Sequence, residues 1–329
     1  MAEISFFEKI GAHIRYWIDF FKMISNVWET FQNPLEILTK LFKNNFPINA
    51  RLKNNTKIQL KSFSAMYLIS NIPKNIEVDY NIEIDYVTLF MKNESNTKKI
   101  IFHGGLNNGD IVNTFFKKDY ANISVNQKTV LDIGVNIGDT AIFYALSGAK
   151  KVIGIEPFPK NFDYAQKNIN INNLTHIIDV IQAGCSSKNE IIKIDPEYQS
   201  NIESKITNFE KGVDTPMLTI ENIIKKYEIP KNSILKIDCE GCEYDIIENI
   251  PLEIISYFSS IQIEYHQGYK KLKRKLENFG YTVNTTKPHA TNVILSIYNL
   301  FRSKNIIMDK KIGYAGFIFA FKHDKNLKK

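Results

Sequence analysis

The sequence predicts an α/β fold: a doubly wound, mostly parallel seven-stranded sheet, preceded by N-terminal helices and a small β-rich unit. Two observations predict it. From Val130 onward, short apolar runs alternate with segments of helical periodicity, the pattern of a parallel sheet covered by helices. The first apolar run also passes through a turn rich in Gly and Asn directly into a helical segment. We expect three segments, 1–50, 51–125 and 126–329.

Residues 1 to about 45 have helical periodicity, which Pro34 breaks or restarts. We expect the apolar stripe of this helix to pack on the protein's own body or on a second copy. A helix lying on a membrane is the alternative, disfavoured because its polar face has few lysines. The stripe is unusually aromatic and comprises Phe7, Ile10, Ile14, Ile18, Phe21 and Trp28.

The period changes to two between about 56 and 115, which predicts strands. The stretch "NIEVDYNIEIDYVTLF" is too long for one ordinary strand, so we expect a turn near Asn81 to split it into a hairpin. A loop rich in Gly and Asn follows at 102–110.

The main domain is predicted from its alternating periodicity. Strands are expected at 129–133, 151–156, 177–183, 233–238, 259–266, 281–286 and 313–322. Helices are expected at 138–147, 160–170, 219–227, 243–250 and 268–279.

The amino-acid composition limits the classes of function that the protein can have. The 329-residue chain carries a formal net charge of +7, but only four of its 42 basic residues are arginine, which favours a solvated lysine surface over a nucleic-acid track. The three cysteines indicate a reducing compartment without disulfides, and the pair in "CEGC" at 239–242 is expected to be two small residues at a strand end. No apolar run approaches the ~20 residues of a membrane span, and acidic residues interrupt the N-terminus, so we expect a cytoplasmic protein.

The turn after the first main-domain strand reads Asp-x-Gly-x-Asn-x-Gly, from Asp132 through Gly134 and Asn136 to Gly138. Glycines allow a ligand to approach the backbone closely. A carboxylate at this point would repel the pyrophosphate of a dinucleotide, but it suits a cofactor with a cationic amine and no phosphate. S-adenosylmethionine has that chemistry.

A second acidic residue ends the next predicted strand in "KVIGIEPFPKNF". Glu156 follows Asp132 at about the distance at which a carboxylate binds ribose hydroxyls in nucleoside-binding folds. Pro157 and Phe158 would then lie beside the adenine.

These blocks, together with "MLTIENII", "ILKIDCEGCEYDIIENI" and "IQIEYH", resemble the FkbM family of S-adenosylmethionine-dependent methyltransferases, of the class I Rossmann-like group. The resemblance covers roughly 115–270, and Lys-Ile-Asp-x-Glu-Gly-x-Glu is its most specific block. Val135 stands where the family usually has alanine, and the resemblance does not extend to residues 1–110.

The resemblance implies the roles of further residues. Asp139 and Thr140 would lie near the methionine carboxylate of the cofactor, and Ala183 near its base. Asp238, at the end of the fourth strand, would face both cofactor and acceptor.

The residues themselves indicate a reactive cluster. Lys236, Asp238 and Glu240 alternate and therefore share one strand face, where three charges are costly unless they are paired or functional. Glu264 and His266 repeat this arrangement on the next strand, so Glu264 could orient the imidazole. We expect His266 to be the general base, because an unperturbed histidine titrates near neutral pH, and Asp238 to position cofactor and acceptor.

The resemblance therefore implies O-methylation of a hydroxyl on a sugar, glycan or other small molecule, with S-adenosylmethionine as cofactor and no metal required. The alternatives are methylation of RNA or protein, and a non-catalytic module that only binds the cofactor. The acceptor's identity and the oligomeric state do not follow from the sequence.

Overall fold

The computed structural model describes residues 4–92, 97–195, 212–291, 293 and 312–322. Its helices are α1 (Phe6–Thr30), α2 (Pro34–Phe42), α3 (Phe63–Ser70), α4 (Asp139–Leu146), α5 (Pro159–Ile171), α6 (Ile220–Lys226), α7 (Cys242–Asn249), α8 (Leu252–Ile255) and α9 (Lys270–Asn278), with a π-helical turn at Val112–Phe116. Its strands are β1 (Ile48–Arg51), β2 (Lys57–Leu60), β3 (Glu77–Asn81), β4 (Tyr86–Lys92), β5 (Thr97–His103), β6 (Thr129–Ile133), β7 (Lys151–Glu156), β8 (Ile178–Gln182), β9 (Gly184–Cys185), β10 (Glu190–Ile194), β11 (Val213–Leu218), β12 (Ser233–Ile237), β13 (Phe258–Tyr265), β14 (Tyr281–Thr285), β15 (His289–Thr291) and β16 (Gly313–Lys322).

The predicted α/β class is confirmed. The largest sheet has seven strands along one path and an eighth, β15, that pairs with β16 off that path. Strands β6, β7 and β8 are parallel, as are β12 and β13, while β16 runs antiparallel to both β13 and β14. Each main-domain element that was predicted begins and ends within two residues of its predicted bounds, whereas β9, β10, β11, α8 and β15 were not predicted.

The chain divides into two compact units. Unit 1 comprises Met1–Phe20, Cys185–Asn189 and Leu218–Lys329, and unit 2 comprises Phe21–Gly184 and Glu190–Met217. The predicted division into 1–50, 51–125 and 126–329 stays a prediction.

Unit 2 contains the parallel strands β6 to β8 and a three-stranded antiparallel sheet of β3, β4 and β5. The turn predicted near Asn81 joins β3 to β4. Two asparagines of α5 hold the edge of this sheet: Asn172 pairs with both backbone groups of Ile101, and Asn168 with both of His103. These side chains satisfy backbone groups that an edge strand would otherwise leave unpaired. Helix α3 was not predicted, because its apolar residues do not fall on one helical stripe.

The helical prediction for residues 1–45 is confirmed by α1 and α2, but the aromatic stripe does not pack on the described part of the protein's own body, and its packing on a second copy stays a prediction. All six stripe residues are exposed, from 44% at Ile10 to 82% at Phe7. The opposite face packs instead: Ala12 is buried in a cluster with Ala290 and Val293, against which Trp17 lies. Membrane contact of residues 1–45 stays a prediction; no helix in the described part of the chain is long and apolar enough to cross a membrane.

Candidate active site

The loop that follows β6 is shaped by backbone conformations that favour glycine. Gly134 and Gly138 have φ angles of 81° and 88°, in the left-handed region that other residues rarely adopt. A Cβ at Gly138 would also lie 3.3 Å from Cα of Ala165 in α5. The loop therefore packs closely against α5 and leads directly into α4.

Asn136, at the centre of this loop, has a positive φ of 50° and donates its Nδ2 to the backbone oxygen of Asn108 at 2.6 Å. Its Oδ1 is buried and has no hydrogen-bond partner among the residues that the structure describes, and the same holds for Oδ1 of Asn108. Buried acceptors are normally satisfied. These two orphaned acceptors, on neighbouring loops, are what a polar ligand with N–H or O–H groups would satisfy.

Glu156 lies at the end of β7, as predicted, and its carboxylate bridges two backbone segments. Oε2 accepts from the N–H of Asn136 at 2.9 Å, and Oε1 accepts from the N–H of Phe158 at 3.1 Å. Ala183 is buried beside it and donates its N–H to the Glu156 backbone oxygen at 3.2 Å. The predicted ribose and adenine residues thus come together at one edge of unit 2, with Pro157 between them in the chain.

The predicted cofactor contacts of Asp132, Asp139, Thr140 and Phe158 stay predictions, but the structure shows what these side chains contact within the protein. Asp132 has no exposed surface, and its Oδ2 accepts from Thr140 Oγ1 at 2.6 Å; Asp139 accepts from the backbone N–H of Asp110 at 2.8 Å. These hydrogen bonds hold the start of α4. Phe158 is also buried, in an apolar cluster with Ile192, Ile194 and Met217.

Unit 1 gathers a second polar cluster. Nε2 of His266 lies 3.4 Å from Oε2 of Glu240 and 4.0 Å from Oδ1 of Asp238. The three side chains retain 19–24% exposure. The predicted pair of Asp238 and His266 is therefore brought together, with Glu240 as a third member.

Glu243 is the residue that sequence reasoning missed. It has no exposed surface; its Oε1 lies 3.1 Å from Nδ1 of His266, and its Oε2 accepts from the N–H of Gly241 at 2.7 Å. Its signal was present in the sequence, since it is the last acidic residue of the Lys-Ile-Asp-x-Glu-Gly-x-Glu block.

Two expectations about His266 are wrong. Glu243, and not Glu264, contacts Nδ1 of the ring. Burial by itself lowers the pKa of His266, but the hydrogen bond to Glu243 and the charges of Glu240, Glu243 and Glu264 raise it to about 10. The histidine is therefore an imidazolium at neutral pH, and does not titrate at its ordinary value.

Lys236, Asp238 and Glu240 do not share one strand face, because β12 ends at Ile237 and the backbone turns there. Lys236 is buried with its Nζ 3.7 Å from Asp238 Oδ2, while Glu240 takes a left-handed φ of 55° that turns it toward His266.

Cys239 and Cys242, which flank Glu240, form a disulfide, so the expectation of two unlinked cysteines is wrong. Cys185 is free and buried, and burial raises the pKa of its thiol.

A cavity of about 1200 Å³ lies elsewhere in unit 2, and the polar residues that line it include Asn33 at the start of α2, Arg51 of β1 and Asp79 of β3. No predicted site residue lines it. The chemistry-bearing residues therefore lie outside this cavity.

Comparison with known protein families finds a match for the part of the chain that carries these residues. Residues 132–283 match the family described as the methyltransferase FkbM domain, a span that begins at Asp132 and includes both polar clusters.

Individual similarities are shorter or more distant. The chain is 46% identical over 55 residues to protein arginine N-methyltransferase PRMT10 of Arabidopsis thaliana, which is 17% of this chain and 14% of that protein. A structure of M. capricolum TrmK in complex with S-adenosyl-homocysteine is 16% identical, with a TM-score of 0.38 over 65% of this chain and 72% of that one. A precorrin-6y C5,15-methyltransferase from Geobacter metallireducens GS-15 is 12% identical, with a TM-score of 0.35 over 71% and 95% of the two chains.

Proposed function

We propose that this protein methylates a hydroxyl oxygen of a sugar, glycan or other small-molecule acceptor, with S-adenosylmethionine as the methyl donor, because its residues 132–283 match the methyltransferase FkbM domain. The observation that carries the proposal is the Glu156 carboxylate, held by two backbone N–H groups at the end of β7 beside the orphaned acceptor of Asn136.

The cofactor assignment is supported by the polarity of the loop after β6. Ribose hydroxyls and an ammonium group are donors, and the residues in and around this loop offer acceptors: Glu156 and the buried Oδ1 atoms of Asn136 and Asn108. Gly134 has no side chain to cover the backbone where the cofactor would approach. Asp132 and Thr140 act by holding this loop in place.

The hydroxyl acceptor is supported by the cluster in unit 1. Asp238 and Glu240 are carboxylates with part of their surface exposed, and carboxylates accept hydrogen bonds from hydroxyl groups. We assign Asp238, Glu264 and His266 to the binding and deprotonation of the acceptor, with Glu243 as the residue that positions His266. His266 acts as the base in its neutral form, which its raised pKa makes a minor fraction at neutral pH. The scarcity of arginine argues against a nucleic-acid acceptor.

Protein arginine methylation is the second candidate, because of the 55-residue similarity to PRMT10. One experiment separates the candidates. The purified chain is incubated with methyl-labelled S-adenosylmethionine and separate glycan, small-molecule, protein and RNA fractions. We expect label in the glycan or small-molecule fraction; label confined to protein or RNA, or to no fraction, contradicts the proposed acceptor.

Cofactor binding is tested separately by thermal unfolding. A ligand that binds the native state raises the melting temperature, so S-adenosyl-homocysteine should stabilise the wild-type protein. Glu156→Gln should lose most of this shift, whereas Asp163→Asn, at an exposed position of α5, should retain it. An unshifted wild-type melting curve at millimolar ligand contradicts the cofactor assignment.

The acceptor assignment is tested by His266→Ala. Because general acid–base groups contribute about 10²- to 10⁴-fold, kcat should fall by that factor while the cofactor-dependent shift in melting temperature persists. Unchanged kcat in this variant would remove His266 from the catalytic residues.

A further inference from the structure

The cluster around Nε2 of His266 has the composition of a metal site. We propose that Asp238, Glu240 and His266 bind one divalent transition-metal ion, with Glu243 holding the histidine in the binding orientation. When the ion is bound, Nε2 of His266 is a ligand and not a base, so the proton of the acceptor then goes to Glu264. One ligand atom from each of the first three residues lies within 4.8 Å of the other two.

The distances suit a shared ion. Donor atoms that are each about 2.1 Å from a metal lie about 3.0–3.4 Å apart at octahedral or tetrahedral angles, and at most about 4.2 Å apart. The separations of His266 Nε2 from Glu240 and Asp238 are 3.4 and 4.0 Å. Binding therefore needs only small side-chain movements.

Glu243 supplies an independent observation. Metal-binding histidines characteristically donate their other ring N–H to a carboxylate, which fixes the tautomer and directs the remaining nitrogen to the ion. Glu243 is fully buried and occupies that position at Nδ1, and it is held in turn by the N–H of Gly241. Nδ1 is thereby engaged, and Nε2 is the nitrogen directed at both carboxylates.

The charges also call for a cation. Glu240 and Glu243 flank the imidazole, and Asp238 lies between it and the buried Lys236. A metal takes the place of the Nε2 proton of the imidazolium, so a divalent ion replaces that positive charge among these carboxylates. Partial exposure of all three ligands gives the ion a path from solvent.

The donor set indicates the class of metal. One imidazole nitrogen and two carboxylates suit Mn²⁺ or Zn²⁺ better than Mg²⁺, which prefers oxygen ligands only. Three protein ligands also leave at least one coordination position open, as in metal sites that bind water or substrate.

The full-length protein, stripped with a chelator and dialysed, is titrated with Mn²⁺ and Zn²⁺ by calorimetry, without cofactor or acceptor. We expect one ion per chain, with Mg²⁺ at least tenfold weaker. His266→Ala and Glu240→Gln should each weaken binding at least tenfold. His289→Ala serves as the matched control: His289, which pairs with Asp19 at 3.2 Å, is not a member of the proposed site, and its substitution should leave binding unchanged.

Absence of binding by the wild type at millimolar metal would overturn the proposal, as would equal affinity in the wild type, His266→Ala and Glu240→Gln. Circular dichroism of the metal-free variants identifies any that have lost their fold. If His266→Ala is unfolded, Glu240→Gln, at a partly exposed turn, still tests the site. The cofactor-dependent melting shift is measured on the same samples, so failure of the metal site is distinguishable from failure of the proposed methyltransferase function.

Discussion

Nδ1 of His266 lies 3.1 Å from Oε1 of Glu243, a carboxylate with no exposed surface. A fully buried carboxylate is costly unless it is paired, and here the imidazolium and the N–H of Gly241 compensate it. The pairing ties the first turn of α7 to the residue that follows β13. It also makes the histidine more basic than its ordinary value.

Glu243→Gln should therefore lower the pKa of His266 by more than one unit, because an anion that stabilises the imidazolium is replaced by a neutral amide of the same shape. The measurement is an NMR titration of the imidazole signals in metal-free protein. Glu253→Gln, at an exposed position of α8, is the control and should leave the titration unchanged. A His266 pKa equal to that of the wild type in Glu243→Gln would show that Glu243 does not govern this charge.

The main-domain elements could be predicted because each carries its own local signal. Strands such as β6 and β7 are continuous apolar runs, and Gly134 and Glu156 mark where they end. The partner of His266 could not be assigned by strand alternation, because β12 ends at Ile237 and the turn beyond it, with Glu240 and Gly241 at positive φ, directs the side chains.

Helix α1 shows a different limit of prediction from the sequence. Periodicity identifies an apolar stripe but not what covers it, and α1 has apolar residues on two faces. The face with Ala12 and Trp17 packs against unit 1, while the more regular stripe, which includes Ile14, is exposed. The disulfide of Cys239 and Cys242 was likewise beyond prediction, since spacing alone does not state the oxidation of a Cys-x-x-Cys pair.

Substitutions on the two faces of α1 should lower the stability by different amounts. Trp17→Ala should lower the free energy of unfolding by about 1–3 kcal/mol, less than the roughly 3–5 kcal/mol of a fully buried tryptophan, because Trp17 is partly buried. Ile14→Ala, at a position 56% exposed, should cost less than about 0.5 kcal/mol. Urea unfolding of both variants measures the difference. A larger loss in Ile14→Ala would mean that the stripe, and not the Trp17 face, packs on the protein.

The start of α1 predicts a pH dependence. Ser5 and Glu8 form a capping box, and Glu8 also accepts from the Tyr269 hydroxyl and lies 3.5 Å from Lys270 Nζ. Burial alone would raise the pKa of Glu8, but the hydrogen bonds from Tyr269 and Ser5 and the charge of Lys270 lower it to about 2.

A depressed folded-state pKa stabilises the native state above the unfolded value of about 4.5, and this contribution is lost as the pH falls through the folded value. The melting temperature of the wild type should therefore exceed that of Glu8→Gln above pH 5, and the gap should close between about pH 4.5 and 2. Melting curves of both proteins across pH 2–7 measure the gap. A gap that does not change with pH would show that Glu8 acts through packing or neutral hydrogen bonds alone.

A comparison of Gly138, in the loop after β6, with Gly280, between α9 and β14, separates the effect of backbone strain from that of steric contact. Gly138 and Gly280 have nearly equal φ angles of 88° and 86°. A Cβ at Gly280 meets no atom within 4 Å, whereas one at Gly138 lies 3.3 Å from Cα of Ala165. Gly280→Ala should therefore cost only the strain of a left-handed alanine, about 1–2 kcal/mol.

Gly138→Ala should cost more, because the methyl group must also push α5 away from the loop. Urea unfolding measures the loss of unfolding free energy in both variants. The melting shift with S-adenosyl-homocysteine reports whether the loop after β6 still binds the ligand. We expect the shift to shrink in Gly138→Ala and to persist in Gly280→Ala, since displacing α5 also displaces the loop that carries Asn136. Equal unfolding costs would mean that α5 yields to the added methyl group, and an undiminished shift would mean that the loop keeps its shape without this close approach.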